Sequence, residues 1–185
     1  MTAALKYRHG ATSMGYLLIA TNEDSLVYAE FGESPDTLLG QFRSDFPGES
    51  QSVTTDPMLN HVWDAYTNFL SHPDGLKDIP VKMGGTEFQR EVWSALQKMP
   101  AGSRQTYSDL AVSIGQPAAV RAVASACARN SIALRIPCHR ILRSDGGLGG
   151  YRWGLALKRR LLSTERKLCG ALPTADDPSN PAVSD

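Results

Sequence analysis

The sequence has few cysteines, no long hydrophobic run and no net charge, and each shortage excludes a class of protein. Three cysteines among 185 residues, none in Cys-x-x-Cys spacing, exclude a disulfide framework and argue against a zinc site. No run approaches the roughly 18 apolar residues of a membrane span, and the N-terminus lacks the apolar core of a signal peptide. We therefore expect a reduced, intracellular protein with no metal and no membrane partner.

Charge is divided unevenly along the chain although the formal net charge is zero. Residues 1–83 carry 5 Lys and Arg against 11 Asp and Glu, whereas residues 84–168 carry 14 against 5. A basic segment of this kind is typical of a protein that binds a polyanion such as nucleic acid. A solvated basic surface explains the same charge equally well.

Residues 1–83 predict a small mixed α/β scaffold domain. Two β-prone runs, 15–21 and 25–31, flank a turn cluster and predict a hairpin. Helices are predicted after Ser34 and after Asp56, because each supplies an N-cap before a first-turn proline and apolar residues at helical spacing. Residues 79–83 predict a further strand.

Residues 84–168 predict a mainly helical domain. Capping boxes at Thr86 and Thr106 start two helices, and Pro117 starts a third that runs to about Arg129. The second and third helices form a helix-turn-helix candidate, although plain packing units share this pattern. Small residues and two arginines on the third helix favour close approach to DNA, whereas tight packing on a neighbouring helix would favour the small residues equally. These residues are Ala118, Ala119, Ala122, Ser125, Ala126, Ala128, Arg121 and Arg129.

The remaining segments predict a strand, a loop, a helix and a tail. Residues 132–136 predict a short strand that Pro137 ends, and residues 144–150 form a glycine-rich loop without nucleotide-binding spacing. A last helix over 154–168 is expected to turn its leucines at 157, 161 and 168 inward. Residues 169–185, with three prolines and little apolar surface, predict a disordered tail.

One cysteine stands beside a histidine. Cys138 directly precedes His139, and an imidazole can convert a thiol of pKa about 8.5 into a nucleophile. Glu165 has apolar neighbours on the last helix, so we expect it to point inward and to need a partner, unless the helix end is frayed and hydrated. A histidine between Glu165 and Cys138 would satisfy the acid and activate the thiol. Cys127 and Cys169 receive no catalytic role.

Three segments resemble the signature of the O6-alkylguanine-DNA alkyltransferases. They are IPCHRI at 136–141, RAV at 121–123 with Asn130, and GYRWG at 150–154. The similarity covers roughly Tyr7 to Arg166 and is nearest to the C-terminal half of the Ada adaptive-response proteins, without their zinc-bearing half. It implies a free-standing repair domain that lacks methyl-phosphotriester sensing and transcription activation. It also implies an α+β fold, with a small ribonuclease-H-like N-terminal domain before the helix-turn-helix domain.

The resemblance also implies catalytic roles. Cys138 is the alkyl acceptor, His139 is its base through a water molecule, and Glu165 orients His139. Asn130 braces the turn at the active site. Tyr107 is expected to crowd the phosphate of the target nucleotide and to donate a proton or hydrogen bond to the departing guanine.

Further residues are assigned to the substrate pocket and to DNA. The pocket is expected to comprise Tyr107, Ile136, Pro137, Tyr151, Arg152 and Trp153. The DNA contacts are expected to comprise Arg121, Ala119, Ala122, Ser125, Arg129 and Arg140. Arg121 would occupy the gap in the base stack, and the second helix of the helix-turn-helix would lie in the minor groove.

The implied reaction is DNA repair by direct damage reversal. The methyl group of O6-methylguanine, and of O4-methylthymine, in double-stranded DNA would pass to Cys138 and inactivate the protein, as in a suicidal methylated-DNA-[protein]-cysteine S-methyltransferase. The damaged base must first leave the duplex, at an unstacking cost of about a few kcal/mol. The resemblance implies no cofactor and a location in the bacterial cytoplasm and nucleoid or in a eukaryotic nucleus. It implies a monomer and leaves open whether copies bind DNA independently or cooperatively.

Three positions depart from the patterns within this family. Arg135 stands where an aliphatic residue is usual, which leaves the packing of its strand open. Ala133 and Trp153 match Ada but replace a proline and a glycine of the animal enzymes. We therefore predict a narrow pocket that prefers a methyl adduct to a benzyl adduct.

Two other functions compete with this interpretation. A non-catalytic lesion-binding module would use the helix-turn-helix without an acceptor thiol, and the presence of Cys138 counts against it. A cysteine hydrolase would use Cys138, His139 and Glu165, but hydrolases place nucleophile and base on separate segments.

Overall fold

The computed structural model describes residues 5–47, 51–53 and 56–170. The chain forms two compact units, one of Met1–Gly84 with Ser131–Arg135 and one of Gly85–Asn130 with Ile136–Asp185. The described part is mixed α/β, with a small, mainly antiparallel sheet and six α-helices. None of its helices is long and apolar enough to cross a membrane.

The first unit is built on a four-stranded sheet. Its strands are β1 (Leu5–Thr12), β2 (Gly15–Thr21), β3 (Leu26–Gly32) and β4 (Gln51–Val53), in the order β3-β2-β1-β4. The β2–β3 hairpin predicted from the sequence is confirmed, and β4 runs parallel to β1. Strand β1 was not predicted, because its polar Arg8 and His9 interrupt the apolar pattern.

Two capped helices cover this sheet. Helix α1 (Pro35–Asp45) begins where Ser34 accepts a hydrogen bond from the amide of Thr37, and α2 (Pro57–Thr67) begins where Asp56 accepts one from Leu59. Both helices were predicted from these caps. The apolar face of α1 packs on the sheet in a core that comprises Leu5, Tyr7, Leu18, Ala20, Tyr28, Leu38 and Phe42.

Two predicted strands are wrong. Residues 79–83 make only a single bridge, between Val81 and Leu26. Within 132–136 only Ile132 pairs, with Ala29, and the chain then turns at Leu134, whose φ of 63° no strand residue adopts. β-prone residues suggested strands here, but both segments pair with the same strand, β3, and each makes one isolated bridge to it.

The predicted continuous domain 84–168 is interrupted, because Ser131–Arg135 belongs to the first unit. The backbone of Ala29 bonds to both Ser131 and Ala133, and the Tyr66 hydroxyl donates to the carbonyl of Ala133 at 2.6 Å. Arg135, the departure from the family pattern, is half-buried and donates from Nε to the carbonyl of Ile79 at 2.8 Å. It therefore holds this segment against the first unit.

The second unit contains four helices: α3 (Glu87–Gln97), α4 (Tyr107–Ser113), α5 (Val120–Ala128) and α6 (Leu155–Leu168). The capping boxes at Thr86 and Thr106 are confirmed. Helix α5 begins at Val120 rather than at Pro117, because residues 117–118 form a turn. It packs on α3, where the indole Nε1 of Trp93 donates to the carbonyl of Ala126 at 2.9 Å.

A pair of two-residue strands brings distant parts of the second unit together. Strand β5 (Gln105–Thr106) runs parallel to β6 (Ile141–Leu142). Tyr107 follows β5, and the glycine-rich loop follows β6. Because the two strands are parallel, Tyr107 and the start of the loop lie at the same end of the strand pair. Two residues are too few to give a periodic signal in the sequence.

Helix α6 turns a different face inward from the one predicted. Leu161 is buried as expected, but Leu157 is only half-buried and Leu168 is 51% exposed. The buried face carries Lys158, Leu161, Leu162 and Glu165. The predicted tail, 169–185, lies outside the described residues from 171 onward.

Candidate active site

A single 3-10 turn, Cys138–Arg140, presents the candidate nucleophile. The amide of Cys138 donates to the carbonyl of Ile136 at 2.8 Å, and the amide of Arg140 donates to that of Pro137 at 3.0 Å. This turn replaces the extended geometry that would send Cys138 and His139 to opposite faces. The side chains of Cys138 and His139 are both buried.

The Glu165 carboxylate accepts hydrogen bonds from two segments of the second unit, the turn Cys138–Arg140 and Gly102. His139 Nε2 lies 3.0 Å from Oε1, and Arg140 Nη2 lies 2.7 Å from the same oxygen. The amide of Gly102 donates to Oε2 at 3.0 Å. Arg140 also donates to the carbonyl of Met99 at 2.6 Å. Glu165 therefore points inward, as predicted, and it is satisfied by an ion pair as well as by the histidine.

This arrangement fixes the protonation of both partners. Burial raises the pKa of Glu165, but the hydrogen bond from His139 and the Arg140 guanidinium outweigh burial and hold that pKa at about 2. Burial lowers the pKa of His139, although Glu165 opposes this shift. An ionised carboxylate only accepts hydrogen bonds, so Nε2 of a neutral His139 carries the proton and Nδ1 carries the basic lone pair.

The thiol of Cys138 rests in its neutral form. Its side chain is 5% exposed, and burial raises its pKa. The amide of Asn130 opposes this by donating from Nδ2 to Sγ at 3.3 Å, and the charges of Lys158 and Arg152 also lower the thiol pKa. Asn130 Nδ2 donates as well to the carbonyl of Ile136 at 2.9 Å, so it braces the turn. Ionisation of this thiol must therefore accompany proton transfer to a base.

Cys138 opens on a cavity of about 380 Å³. Its walls are small or aromatic side chains, with one arginine, and comprise Tyr107, Ala124, Cys127, Ala128, Cys138, Gly150, Tyr151 and Arg152. Burial raises the pKa of Tyr107 to about 12, so its hydroxyl remains a hydrogen-bond donor. The volume lies in the range of about 300–1,000 Å³ that is usual for small-molecule sites.

Comparison with known proteins places the chain in one family. The family described as 6-O-methylguanine DNA methyltransferase, DNA binding domain, matches residues 87–167. The methylated-DNA--protein-cysteine methyltransferase of Debaryomyces hansenii is 34% identical over 82% of this chain and 85% of the relative. The inducible methylated-DNA--protein-cysteine methyltransferase of Bacillus subtilis is 37% identical over 80% of this chain and 83% of the relative. The chain belongs to the methylated-DNA--protein-cysteine methyltransferase family.

Two further relatives differ in the share of their own length that this chain matches. The bifunctional transcriptional activator/DNA repair enzyme Ada of Escherichia coli is 38% identical, and the chain spans 46% of its length. Mycobacterium tuberculosis OGT, solved in complex with DNA, is 28% identical with a TM-score of 0.71, over 92% of this chain and 96% of OGT. The fold similarity therefore extends over almost the whole of OGT, whereas the match to Ada covers less than half of Ada.

In the second unit the predicted pocket residues fall into two groups. Tyr107, Tyr151 and Arg152 line the cavity with Cys138. Ile136 and Pro137 are buried just before Cys138 and are not among the lining residues. Trp153 also lies outside the lining, and its ring packs edge-on against Tyr151 at a centroid distance of 5.2 Å.

The residues predicted to contact DNA are also divided. Of the predicted contacts, Arg121, Ala122 and Ser125 are exposed on α5, Arg129 is exposed just after the helix, and Ala119 is half-buried just before it. The assignment of Arg140 to DNA is wrong, because this side chain is buried and bonded to Glu165 and to the carbonyl of Met99. Its position beside Cys138 in the sequence gave no sign of burial.

Several residues of the site were not found from the sequence. Cys127 lines the same cavity as Cys138, and Lys158 is completely buried beside it. The spacing of Lys158, Leu161 and Glu165 along one face of α6 was a usable signal, since residues at i, i+3 and i+7 share a face. It was missed because leucines at 157 and 168 suggested another face.

Proposed function

We propose that this protein repairs DNA by accepting a methyl group on Cys138 from O6-methylguanine, and also from O4-methylthymine, in double-stranded DNA. The observation that carries the proposal is a buried thiol at the wall of a nucleobase-sized cavity, next to a histidine that a buried carboxylate holds. Membership of the methyltransferase family supports the same reaction.

The site accounts for each atom in the transfer. The thiol proton passes to Nδ1 of His139, in this family through a water molecule, while Nε2 keeps its bond to Glu165. The sulfur attacks the methyl carbon, and the bond from that carbon to O6 breaks. The electron pair of that bond passes to the guanine ring, which Tyr107 stabilises with a hydrogen bond or a proton. The ring gains one proton in total, which balances the proton that the thiol gave to His139. The product is unmodified guanine and a thioether on Cys138, which nothing in the site hydrolyses, so each molecule reacts once.

The proposed DNA surface is the helix pair α4 and α5, as a helix-turn-helix. Exposed small side chains on α5 allow close approach to a groove, and Arg121 and Arg129 supply positive charge. Residues 84–168, apart from 131–135, would be the DNA-binding and active-site domain. In the first unit, the strand order β3-β2-β1-β4 with β4 parallel to β1 supports a ribonuclease-H-like scaffold. The protein would act wherever the cell keeps its DNA.

Intact-mass spectrometry after incubation with a duplex that contains O6-methylguanine tests the proposal. We expect a gain of one methyl group per protein, carried by Cys138 and absent in Cys138→Ala. Cys169→Ala, which changes an exposed thiol, is the matched control and should gain the methyl group normally. Tight binding without a mass change would indicate a lesion-binding module, and multiple turnovers on an ester or peptide would indicate a hydrolase; either result overturns the proposal.

A further inference from the structure

Helix α6 carries a lysine that the chemistry above does not use. The Lys158 side chain is completely buried, and within the described residues no carboxylate lies within ion-pair distance of it. A buried ammonium without a counter-ion is costly unless hydrogen bonds satisfy all its protons. A residue of this kind needs a structural or chemical explanation.

Backbone carbonyls of one short segment satisfy this ammonium. Lys158 Nζ donates to the carbonyl of Ile141 at 2.6 Å, to the carbonyl of Leu148 and to that of Gly150 at 3.4 Å. The carbonyl of Ile141 lies in β6, just before the glycine-rich loop, and the carbonyls of Leu148 and Gly150 lie at the end of that loop. The ammonium therefore closes the loop at its base, where it uses all three N–H donors of a lysine.

The closed loop forms part of the cavity wall. Gly150 and Tyr151 line the cavity with Cys138, and the Tyr151 ring centroid lies 6.0 Å from the Lys158 ammonium. Gly149, with φ of +66°, lies so close to Tyr107 that a Cβ atom there would be 3.1 Å from the tyrosine hydroxyl. The position of the loop thus sets the distance between the two tyrosines that would enclose a base.

The same ammonium acts on the thiol through its charge. Its positive charge lowers the pKa of the Cys138 and Cys127 thiols, which line the cavity, and also lowers the pKa of His139. Burial lowers the pKa of Lys158 to about 8, while the two thiols oppose this shift. A cation at this place favours the thiolate of Cys138.

We propose that Lys158 is a positioning residue for methyl transfer: its ammonium ties the glycine-rich loop to β6 and so fixes this loop as a wall of the base pocket, beside the Cys138 thiol. This inference rests on the proposed function. It assigns no contact between Lys158 and the substrate, and its effect passes through Tyr107, Tyr151 and the thiol.

The test compares Lys158→Met with Lys167→Met, an exposed lysine on the same helix. Three measurements are made: the single-turnover rate of methyl transfer at saturating duplex, hydrogen exchange of the loop, and alkylation of Cys138 by iodoacetamide at pH 7. We expect Lys158→Met to slow methyl transfer and alkylation at least about tenfold each. The amides of Arg143 and Gly146, which bond within the loop, should exchange faster. Lys167→Met should match the wild type.

Each result decides between the two claims. If the wild type reacts and Lys158→Met keeps both the wild-type rate and the wild-type loop exchange, the role of Lys158 is overturned and the proposed function stands. Wild-type protein that gains no methyl group overturns the proposed function and this inference with it. If Lys158→Met does not fold, Lys158→Arg is measured in its place. We expect slower methyl transfer and faster loop exchange in this variant, because a planar guanidinium cannot reach the three carbonyls with the same geometry. An unchanged transfer rate and unchanged loop exchange in that variant would also overturn the role of Lys158.

Discussion

Nε2 of His139 lies 3.0 Å from Oε1 of Glu165, and both side chains are almost completely buried. The contact joins a turn before β6 to the last turns of α6. It fixes the tautomer of the histidine, because a carboxylate with a pKa of about 2 only accepts hydrogen bonds. The base proposed for Cys138 is therefore oriented by a residue 26 positions later in the chain.

Replacing Glu165 should reduce both stability and reactivity. Glu165→Gln leaves the buried Arg140 without its counter-ion, so we expect the free energy of unfolding in urea to fall by about 3 kcal/mol. Methyl transfer should also slow, since Nε2 of His139 loses its anionic acceptor. The matched control is Asp145→Asn, which removes the exposed ion pair to Arg143 and should leave both measurements unchanged. Equal stability of Glu165→Gln and wild type would contradict the prediction.

Stability should fall in acid in two stages. The pKa of His139 is lowered by burial, so below its ordinary value of 6.5 the unfolded chain binds a proton that the folded chain excludes. The pKa of Glu165 is held at about 2, so its contribution to stability is complete above 4.5 and is lost as the pH falls towards 2. Urea unfolding at pH 7, 5.5, 4 and 3 measures this. In Glu165→Gln the loss of stability at the lower pH values should be smaller. An unchanged dependence of stability on pH in this variant would contradict the assignment of the second stage to Glu165.

Arg121 should matter for duplex DNA but not for a free base. If Arg121 fills the gap left by an extruded nucleotide, Arg121→Ala should slow transfer from duplex at least about tenfold, because unstacking costs a few kcal/mol. Reaction with free O6-methylguanine needs no extrusion and should keep its rate. Arg159→Ala, which removes an exposed arginine from α6, serves as control for lost charge. Equal slowing of both reactions in Arg121→Ala would refute this role.

Trp153 should restrict the size of the adduct. Its ring packs edge-on against Tyr151, a wall of the cavity, and so limits movement of that wall. We expect wild-type protein to react faster with O6-methylguanine than with O6-benzylguanine, both as free bases. Trp153→Gly should narrow this ratio about tenfold, which is a modest change in barrier height. Competition between the two adducts, followed by intact mass, gives the ratio; equal wild-type rates would exclude a narrow pocket.

Local signals explain which elements were predicted correctly. The caps at Ser34, Asp56, Thr86 and Thr106 act within one turn of their own helix, so the sequence contains all the information they need. Strands β5 and β6 exist only because each pairs with the other, 36 positions away in the register. The single bridge at Ile132 likewise depends on Ala29 in a distant strand.

The sequence by itself determined the helices, the reactive triplet Cys138, His139 and Glu165, and the resemblance that suggests methyl transfer. Only the tertiary structure decided that Arg140 neutralises Glu165 instead of facing DNA, and that Lys158 closes the loop beside the pocket. The reason is physical. A residue type fixes what a side chain can donate, accept or ionise, whereas its burial and its partners depend on segments that meet only when the chain has folded.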